Sequence, residues 1–591
     1  MKLPQTFSSW RRLLLATLLC IALLAMLWGF QSLLQPTIGP LQYTIDGGLP
    51  TEGMLPLLFP SSGKDITIEV PLSLSSLTPT TLSIRPDDCL ERLDVNGIRV
   101  AADTLPFCDY VRGHEINLNG YLRPGLNSLT LAIRDHGGMG GVDIRPLAGR
   151  PLFLLLTFGW LAVLCWYAWT LLRLIPISPR IRSIAIAVTM GGLLRLFYLL
   201  HTPYTLRGHD ADGHLEYVQY LLTHFALPPP NGGWEFYQPP LYYLLGTFWI
   251  GLSRIVGLTL SPAILLPILS LILTTTALAV SGTLAIRLFR DRSSQILFTL
   301  LLATLPSTVF FAARINNDVL FLFLGTVSIA LLLQWWEHPR TQTWYFFIAT
   351  VGLSFLTKFN AVLLLPSLLL PYLRHRNIRG NLERTAASCF LLLLMAGWFY
   401  LPRALTEERP HTIVIGNIGN LNSGLGLPNT LLSLATFNPF NVLLHPFNNA
   451  WSDAERRQYF WEYFFRSAFF GEFGNDPSLR PLAIAILTLA LILIPIALFG
   501  AWAGLRSRAP GATPLFHLLW TGLLGSFAFR ILYPFASSQD FRYAILLTLP
   551  FTAFVVYGLH ELPLYIRRIG YGGAFLFAGL CAIFILAISI I

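Results

Sequence analysis

Long apolar runs separated by short, arginine-bearing loops recur from Pro151 to the end of the chain. A helix needs about 20 apolar residues to cross the hydrocarbon of a bilayer, and a chain in lipid must satisfy its backbone within helices or closed barrels. The runs fall at 151–173, 182–201, 262–287, 294–312, 318–336, 343–357, 360–373, 385–402, 480–503, 514–533, 541–559 and 570–591. A further run, Leu13 to Phe30, follows Arg11 and Arg12 and is too long for a cleaved signal core, so residues 1–36 read as a retained anchor. The expectation is a polytopic α-helical membrane protein with about 13 transmembrane helices. Only 12% of its residues are charged, against about a quarter in soluble proteins.

Charge orients these spans. Lysine occurs only at Lys2, Lys64 and Lys358, and arginine supplies nearly all of the net charge of +10. The arginines are scattered through many loops, which is the pattern that sets membrane topology and gives no stripe for nucleic acid. One apolar stretch, Leu241 to Gly257, is excluded from the spans because counting it would place Arg287, Arg290 and Arg292 outside. Read as an interfacial or re-entrant helix, it leaves Arg173, Arg180, Arg182, the Arg287 group, Arg340, Arg374 to Arg384, Arg506, Arg508, Arg567 and Arg568 on the cytoplasmic side. Outer loops then cover 202–261 and 403–479, on the periplasmic or exterior face of the cytoplasmic (inner) membrane. Spans 343–357 and 360–373 are short for a crossing.

Residues 37–150 are polar, rich in turn residues and patterned by alternation, as at Asp65 to Leu74, Thr81 to Ile84 and Leu129 to Ile133. Such alternation predicts half-buried strands. Asn96-Gly97, between Leu93-Asp94-Val95 and Ile98-Arg99-Val100, predicts a two-residue hairpin turn. A β-sandwich follows as a second domain, with 151–591 as the third. Cys89 and Cys108 lie in this segment, on the side where disulfides persist, and are expected to pair. With the run Ile116 to Asn127, the hairpin resembles the jelly-roll sugar-binding domains attached to glycosidases; a platform without a ligand fits the residues equally well.

The topology gathers the unusual polar residues on the outer side: Asp210, Asp212, His214, Glu216 and Glu235 in the first core loop, Arg314 to Asp318, Lys358, and Asp540 with Arg542. Charges beside lipid are costly, so such a cluster marks a functional site. Four motifs in order add a likeness. They are the acidic first loop leading to Gln238-Pro239-Pro240-Leu241-Tyr242-Tyr243; Arg314-Ile315-Asn316-Asn317-Asp318 opening a span; Leu356-Thr357-Lys358 before an apolar run closed by Pro366; and Phe541-Arg542-Tyr543 leading to Pro550. From Arg182 to about Pro550 the chain resembles the GT-C fold membrane glycosyltransferases, especially the branch of protein O-mannosyltransferases and the lipid A aminoarabinose transferase. It departs from them at Asp210-Ala211, where an Asp-Glu pair is common, and at Gln238, where His is common, which leaves the base open between Asp210 and Asp212.

The resemblance implies inverting transfer of a sugar from a polyprenyl-phosphate donor to an acceptor hydroxyl on a glycolipid, polysaccharide or protein. An alcohol needs a carboxylate to take its proton, and position in the loop favours Asp210 over Asp212. The leaving phosphate needs fixed cations, for which Lys358, Arg542 and Arg314 stand ready. Asp318 would orient the acceptor or the first loop, or alternatively cap the helix it opens. Lys358 and Arg542 also fit interfacial anchoring. His214, Glu216, Glu235 and Tyr237 would position the acceptor or the loop. Asp210, Asp212 and His214 offer ligands for a divalent metal ion, if one is used. The loop 403–479, with Asn417 to Asn422 near its middle, is expected to cover the donor cleft and to order at Ile415 to Leu427 when donor binds. A lipid or glycan transporter would show paired repeats with broken helices and midplane charges, and a non-catalytic glycan-binding membrane protein would not depend on Asp210.

Overall fold

The computed structural model describes residues 4–61, 64–101, 103, 105–109, 113–136, 138–146, 150–174, 178–208, 210–258, 260–374, 377–406, 426–448, 456–473 and 475–590. Its contacts divide the chain into two compact units. One comprises Met1–Pro176, Tyr204–Leu206 and Ile250–Leu265; the other comprises Ile177–Pro203, Arg207–Trp249 and Leu266–Ile591.

In the first unit, helices α1 (Pro4–Leu34) and α2 (Arg150–Leu174) flank eleven strands: β1 (Thr37–Ile38), β2 (Leu41–Ile45), β3 (Thr51–Gly53), β4 (Leu57–Ser61), β5 (Asp65–Leu74), β6 (Thr81–Pro86), β7 (Cys89–Val95), β8 (Ile98–Arg99), β9 (His114–Asn117), β10 (Gly125–Arg134) and β11 (Gly138–Pro146). One antiparallel sheet runs β3-β2-β5-β10-β7-β8 with β1 beside β5, and the other runs β4-β11-β6-β9. Strand alternation decides what they bury. Ile66, Ile68 and Val70 on β5 sit opposite Ile133, Leu131 and Leu129 on β10, and all six join Leu82, Ile84 and Ile144 of the other sheet in one core. A sandwich is the result. Asn96 and Gly97 both take positive φ, at 53° and 79°, as a primed two-residue turn requires. Cys89 and Cys108 are joined by a disulfide, with Cα atoms 4.1 Å apart.

The remaining helices are α3 (Pro179–His201), α4 (Ala211–His224), α5 (Leu241–Ile255), α6 (Pro262–Leu288), α7 (Arg292–Thr304), α8 (Pro306–Phe310), α9 (Asp318–Glu337), α10 (Thr341–Phe355), α11 (Leu370–Arg374) and α12 (Ile378–Thr406). They continue as α13 (Leu431–Ala435), α14 (Pro439–Leu444), α15 (Phe460–Phe470), α16 (Arg480–Arg506), α17 (Ala512–Leu532), α18 (Thr548–Glu561) and α19 (Leu564–Ile590). Among the described residues, 10 helices are long and apolar enough to cross a membrane, or 11 when the bent pair α7 and Pro306–Ala313 counts as one span. The expected count of about 13 therefore falls by the two short spans. The 343–357 run is α10, of 15 residues, and the 360–373 run is a 3-10 segment, Phe359–Leu369, continued by α11. A 3-10 helix rises about 2.0 Å per residue against about 1.5 Å in an α-helix, so 11 residues in that form reach further than their number suggests. Helix α5, with 15 residues, is also absent from the long spans.

A set of arginines marks one end of the helices in the second unit. Arg180 donates to the Phe289 carbonyl at 2.7 Å, Arg292 to Ser183 at 2.7 Å, and Arg374 and Arg384 lie over Trp336 and Trp335. Chain direction then assigns the opposite ends. Helix α9 starts at Asp318 and runs to Glu337 beside Arg340, α10 returns to Lys358, and α17 starts just after Arg508 and ends ahead of Asp540.

Candidate functional site

Lys358 and Asp318 define the centre. Asp318 opens α9 with its side chain turned toward Lys358, whose Nζ lies 2.5 Å from Oδ1, and the side chains of Asp318 and Lys358 are 1% and 8% exposed. The Asp318 carboxylate does not cap the helix. Asn317 precedes α9 without a side-chain cap, and the Asp318 backbone N–H donates to Asn316 Oδ1 at 2.7 Å. The other oxygen, Asp318 Oδ2, is buried without a hydrogen-bond partner. Lys358 also lies 5.2 Å above the Tyr543 ring, so the ammonium faces a carboxylate and a π-surface together.

The start of the last membrane-spanning hairpin brings a second cation. Asp540 accepts from the Arg542 backbone at 3.0 Å, which winds Phe541–Leu547 into a 3-10 turn. The Arg542 guanidinium lies 4.8 Å over Tyr543 and donates to its hydroxyl at 3.0 Å. Its Nε is 3.9 Å from Asp540 Oδ2. Arg314, 3% exposed, stacks over Phe311 and Phe473 at 4.8 Å and 5.6 Å, and its Nε finds no hydrogen-bond partner.

The acidic first loop meets this cluster from the side. Asp210 is exposed and holds a left-handed backbone, φ 58°, immediately before α4. Its side chain makes no cap; instead Oδ1 accepts from Trp234 Nε1 at 3.0 Å. Glu235 is buried at 2% exposure, with Oε2 lacking a hydrogen-bond partner. Burial first, and the nearby Asp210 charge second, push its carboxyl well above the usual range, while Gln238, Lys358 and Arg542 pull it back. His214 shares a hydrogen bond with the Tyr243 hydroxyl at 2.7 Å, and burial, then Lys358 and Arg542, hold its imidazole well below its ordinary value. Both effects favour its neutral form. Tyr237 accepts from the Gln238 amide at 2.9 Å, and Gln238 in turn accepts from Asn317 at 3.1 Å. That chain of bonds ties the first loop to α9, and Asn317 extends it to the Thr357 carbonyl beside Lys358.

The structure thus brings Asp210, Glu235, Tyr237, His214, Arg314, Asp318, Lys358 and Arg542 into one electrostatic neighbourhood. Asp212 sits half-buried in the first turn of α4. Glu216, half-buried a turn later, has its carboxyl raised by burial alone. Metal ligation fares differently: among the described residues the one group with three converging ligand atoms is Asp87 and Asp88, between β6 and β7, with Asp135 just after β10, and Asp210, Asp212 and His214 form none. Residues 407–425, which hold Asn417 to Asn422 and most of Ile415 to Leu427, lie outside the described residues, as does His209.

Two contributors went unnamed in the sequence. Glu472 accepts from Tyr463 at 2.9 Å, and burial, then Asp540, raise its carboxyl to about 7. The available signal was a lone carboxylate between glycines, Gly471-Glu472-Phe473-Gly474, in an otherwise aromatic stretch. Trp234, which aims Asp210, gave no signal at all.

Residues 238–401 match the dolichyl-phosphate-mannose-protein mannosyltransferase family. The match indicates a membrane glycosyltransferase of the mannosyltransferase type. It includes Gln238, Arg314, Asp318 and Lys358 and stops short of Asp210 on one side and Arg542 on the other. No curated protein matches the chain.

Proposed function

We propose that the chain transfers a sugar from a polyprenyl-phosphate donor to an acceptor hydroxyl at the outer face of the membrane, with inversion at the anomeric carbon. The observation that carries this reading is the convergence of three basic side chains, Lys358, Arg314 and Arg542, with Asp318 and Asp540 in one buried cluster. Burial pushes Glu235 and Glu472 toward their neutral forms. Basic side chains so placed suit an anion.

A phosphate monoester or diester supplies it. The acceptor oxygen attacks the anomeric carbon, the bond from that carbon to the phosphate oxygen breaks, and the phosphate leaves with the electron pair. Lys358, Arg542 and Arg314 stabilise the charge that grows on the leaving group. Asp210, at the exposed edge and fixed by Trp234, takes the acceptor's proton. Asp318 holds the Lys358 ammonium in place. Glu235 and Tyr237, between the two, position the acceptor or the loop. The outer face is supported by loop charge, because the loops carrying Arg287 to Arg292, Arg340, Arg374 to Arg384 and Arg506 to Arg508 lie at the ends of the helices away from the site.

The test is to incubate purified protein with a panel of polyprenyl-phosphate sugars and measure released polyprenyl phosphate, beside Asp210→Asn and Asp212→Asn. Loss in the first alone supports Asp210 as the base. Loss in the second alone moves that role to Asp212, and no release from any donor by the unaltered chain ends the reading.

A further inference from the structure

We infer that Gly426–Asn448, part of the long loop 403–479, is an interfacial element embedded in lipid, whose apolar face contacts acyl chains beside the site. The sequence places it in an aqueous loop, yet its 23 positions from 426 to 448 contain no Asp, Glu, Lys or Arg. The short helices α13 and α14 turn large apolar side chains outward: Leu431 is 84% exposed, Leu432 63%, Phe440 76% and Leu444 57%. Contiguous exposed groups of this size call for a partner.

Polar side chains of the segment are bonded within the protein: Ser433 and Asn448 are buried and Asn441 is half-buried, and the exposed Asn429, Thr430 and Asn438 each take part in hydrogen bonds. Thr430 and Ser433 cap α13 reciprocally, and Asn438 caps α14. Asn441 donates to Glu462 at 2.5 Å, and Asn448 donates to the Tyr463 carbonyl at 3.0 Å. Buried charges clamp the segment from beneath. Arg530 donates to Asn429 at 2.6 Å and to the Pro428 carbonyl at 3.1 Å, Glu462 accepts from the Asn438 N–H at 3.0 Å, and Arg466 donates to the His445 carbonyl at 2.8 Å. In an aqueous loop water could serve these groups, but in lipid only the protein can.

Continuity with an existing lipid surface names the occupant. Leu427 N–H donates to the Pro534 carbonyl at 2.8 Å and Asn429 donates to the Ile531 carbonyl at 2.9 Å, so the segment is stitched to the site end of the membrane-spanning α17. There Leu532 is 70% exposed and Ile531 39%, and they extend the same apolar face. An interfacial helix of this kind sinks about 5–10 Å below the headgroups. Its placement stands whether or not sugar transfer is the reaction.

The unaltered protein in vesicles, irradiated with a phospholipid carrying a diazirine on its acyl chain, will show adducts on Leu431 to Leu444 as well as on α17. Adducts on α17 with none on that segment overturn the inference. A nitroxide on Phe440→Cys or Leu432→Cys, with exposed Cys165 and Cys389 changed to Ala, provides the second measurement. It will collide more often with oxygen than with a water-soluble nickel chelate, the reverse of a label on Asn119→Cys. Preference for the chelate at both sites also overturns it, whether the face is bare to water or reserved for a protein.

Discussion

Removing Lys358 separates two roles that a single loss of activity would confuse. At an effective dielectric near 20, unit charges 2.5 Å apart attract by roughly 7 kcal/mol. The desolvation of two buried ions offsets much of this, so the pair itself contributes little net stability. Breaking it is another matter, because a buried charge left without its partner costs about 3–5 kcal/mol. Lys358→Met should therefore lower stability by about 3–5 kcal/mol, and Asp318→Asn by a similar amount. Joined in one chain, the two substitutions leave no charge behind and should restore most of the loss. Transfer behaves differently if Lys358 also stabilises the leaving phosphate: the single variant and the double variant should both lose about 100-fold or more in turnover. The assay pairs the apparent melting midpoint of the four forms in one detergent with release of polyprenyl phosphate. Recovery of turnover together with stability in the double variant would refute the reasoning, since Lys358 would then serve only to hold Asp318.

Trp234→Phe keeps an aromatic ring and deletes the hydrogen bond to Asp210; turnover should fall about tenfold, in line with about 1.4 kcal/mol of lost positioning, while donor KM holds. Burial raises Glu472 to about 7 from an ordinary 4.5, so between those values it binds more protons when folded, and its contribution to stability should fall as pH rises, then level off above about 7. Melting midpoints of Glu472→Gln should therefore rise with pH across that window relative to the unaltered chain, Glu235 and His214 contributing alike to both. Gly500 and Gly558 let α16 and α18 touch backbone to backbone, since an added Cβ would lie 1.9 Å from the Phe554 carbonyl and 2.1 Å from the Ile496 carbonyl; Gly500→Leu should abolish the folded fraction in size-exclusion chromatography, with Gly572→Ala, in open space, unaffected. Cys89→Ser with Cys108→Ser opens a loop with sequence separation 19 and should cost about 3 kcal/mol, read as faster proteolysis of the strands.

Elements whose driving force is local were legible. The β5 alternation from Asp65 to Leu74 needs only the two-residue period of a strand, and the Asn96-Gly97 turn needs only positive φ. The long spans were legible because hydrocarbon demands length and little else. Where geometry depends on distant partners, the sequence says less. Asp318 looks like a helix cap in sequence, and only the approach of Lys358, 40 positions later, makes it a counter-ion. The 3-10 stretch after Lys358 is indistinguishable from a short α-helix by composition. Glu472 is unremarkable until burial and Asp540 act on it.

The departure at Gln238 has a physical consequence. A neutral amide there donates to Tyr237 and accepts from Asn317, so it connects the acidic loop to α9 and changes no charge. A histidine at this point would stand close to Lys358 and Arg542, the two cations that already help hold His214 neutral. A neutral imidazole has one donor and one acceptor, whereas Gln238 also hydrogen-bonds Glu235. The amide therefore joins three partners, Tyr237, Asn317 and Glu235, where histidine would reach two. In the proposed reaction, phosphate stabilisation rests on basic residues elsewhere: Lys358 from the turn after α10, Arg314 before α9, and Arg542 before α18. Three separate connections supply them, and the bonds through Gln238, Asn317 and Thr357 fix two of those connections to the loop that carries Asp210. The proposed base and cations are thereby held in one frame, as the proposed in-line displacement at the anomeric carbon would require.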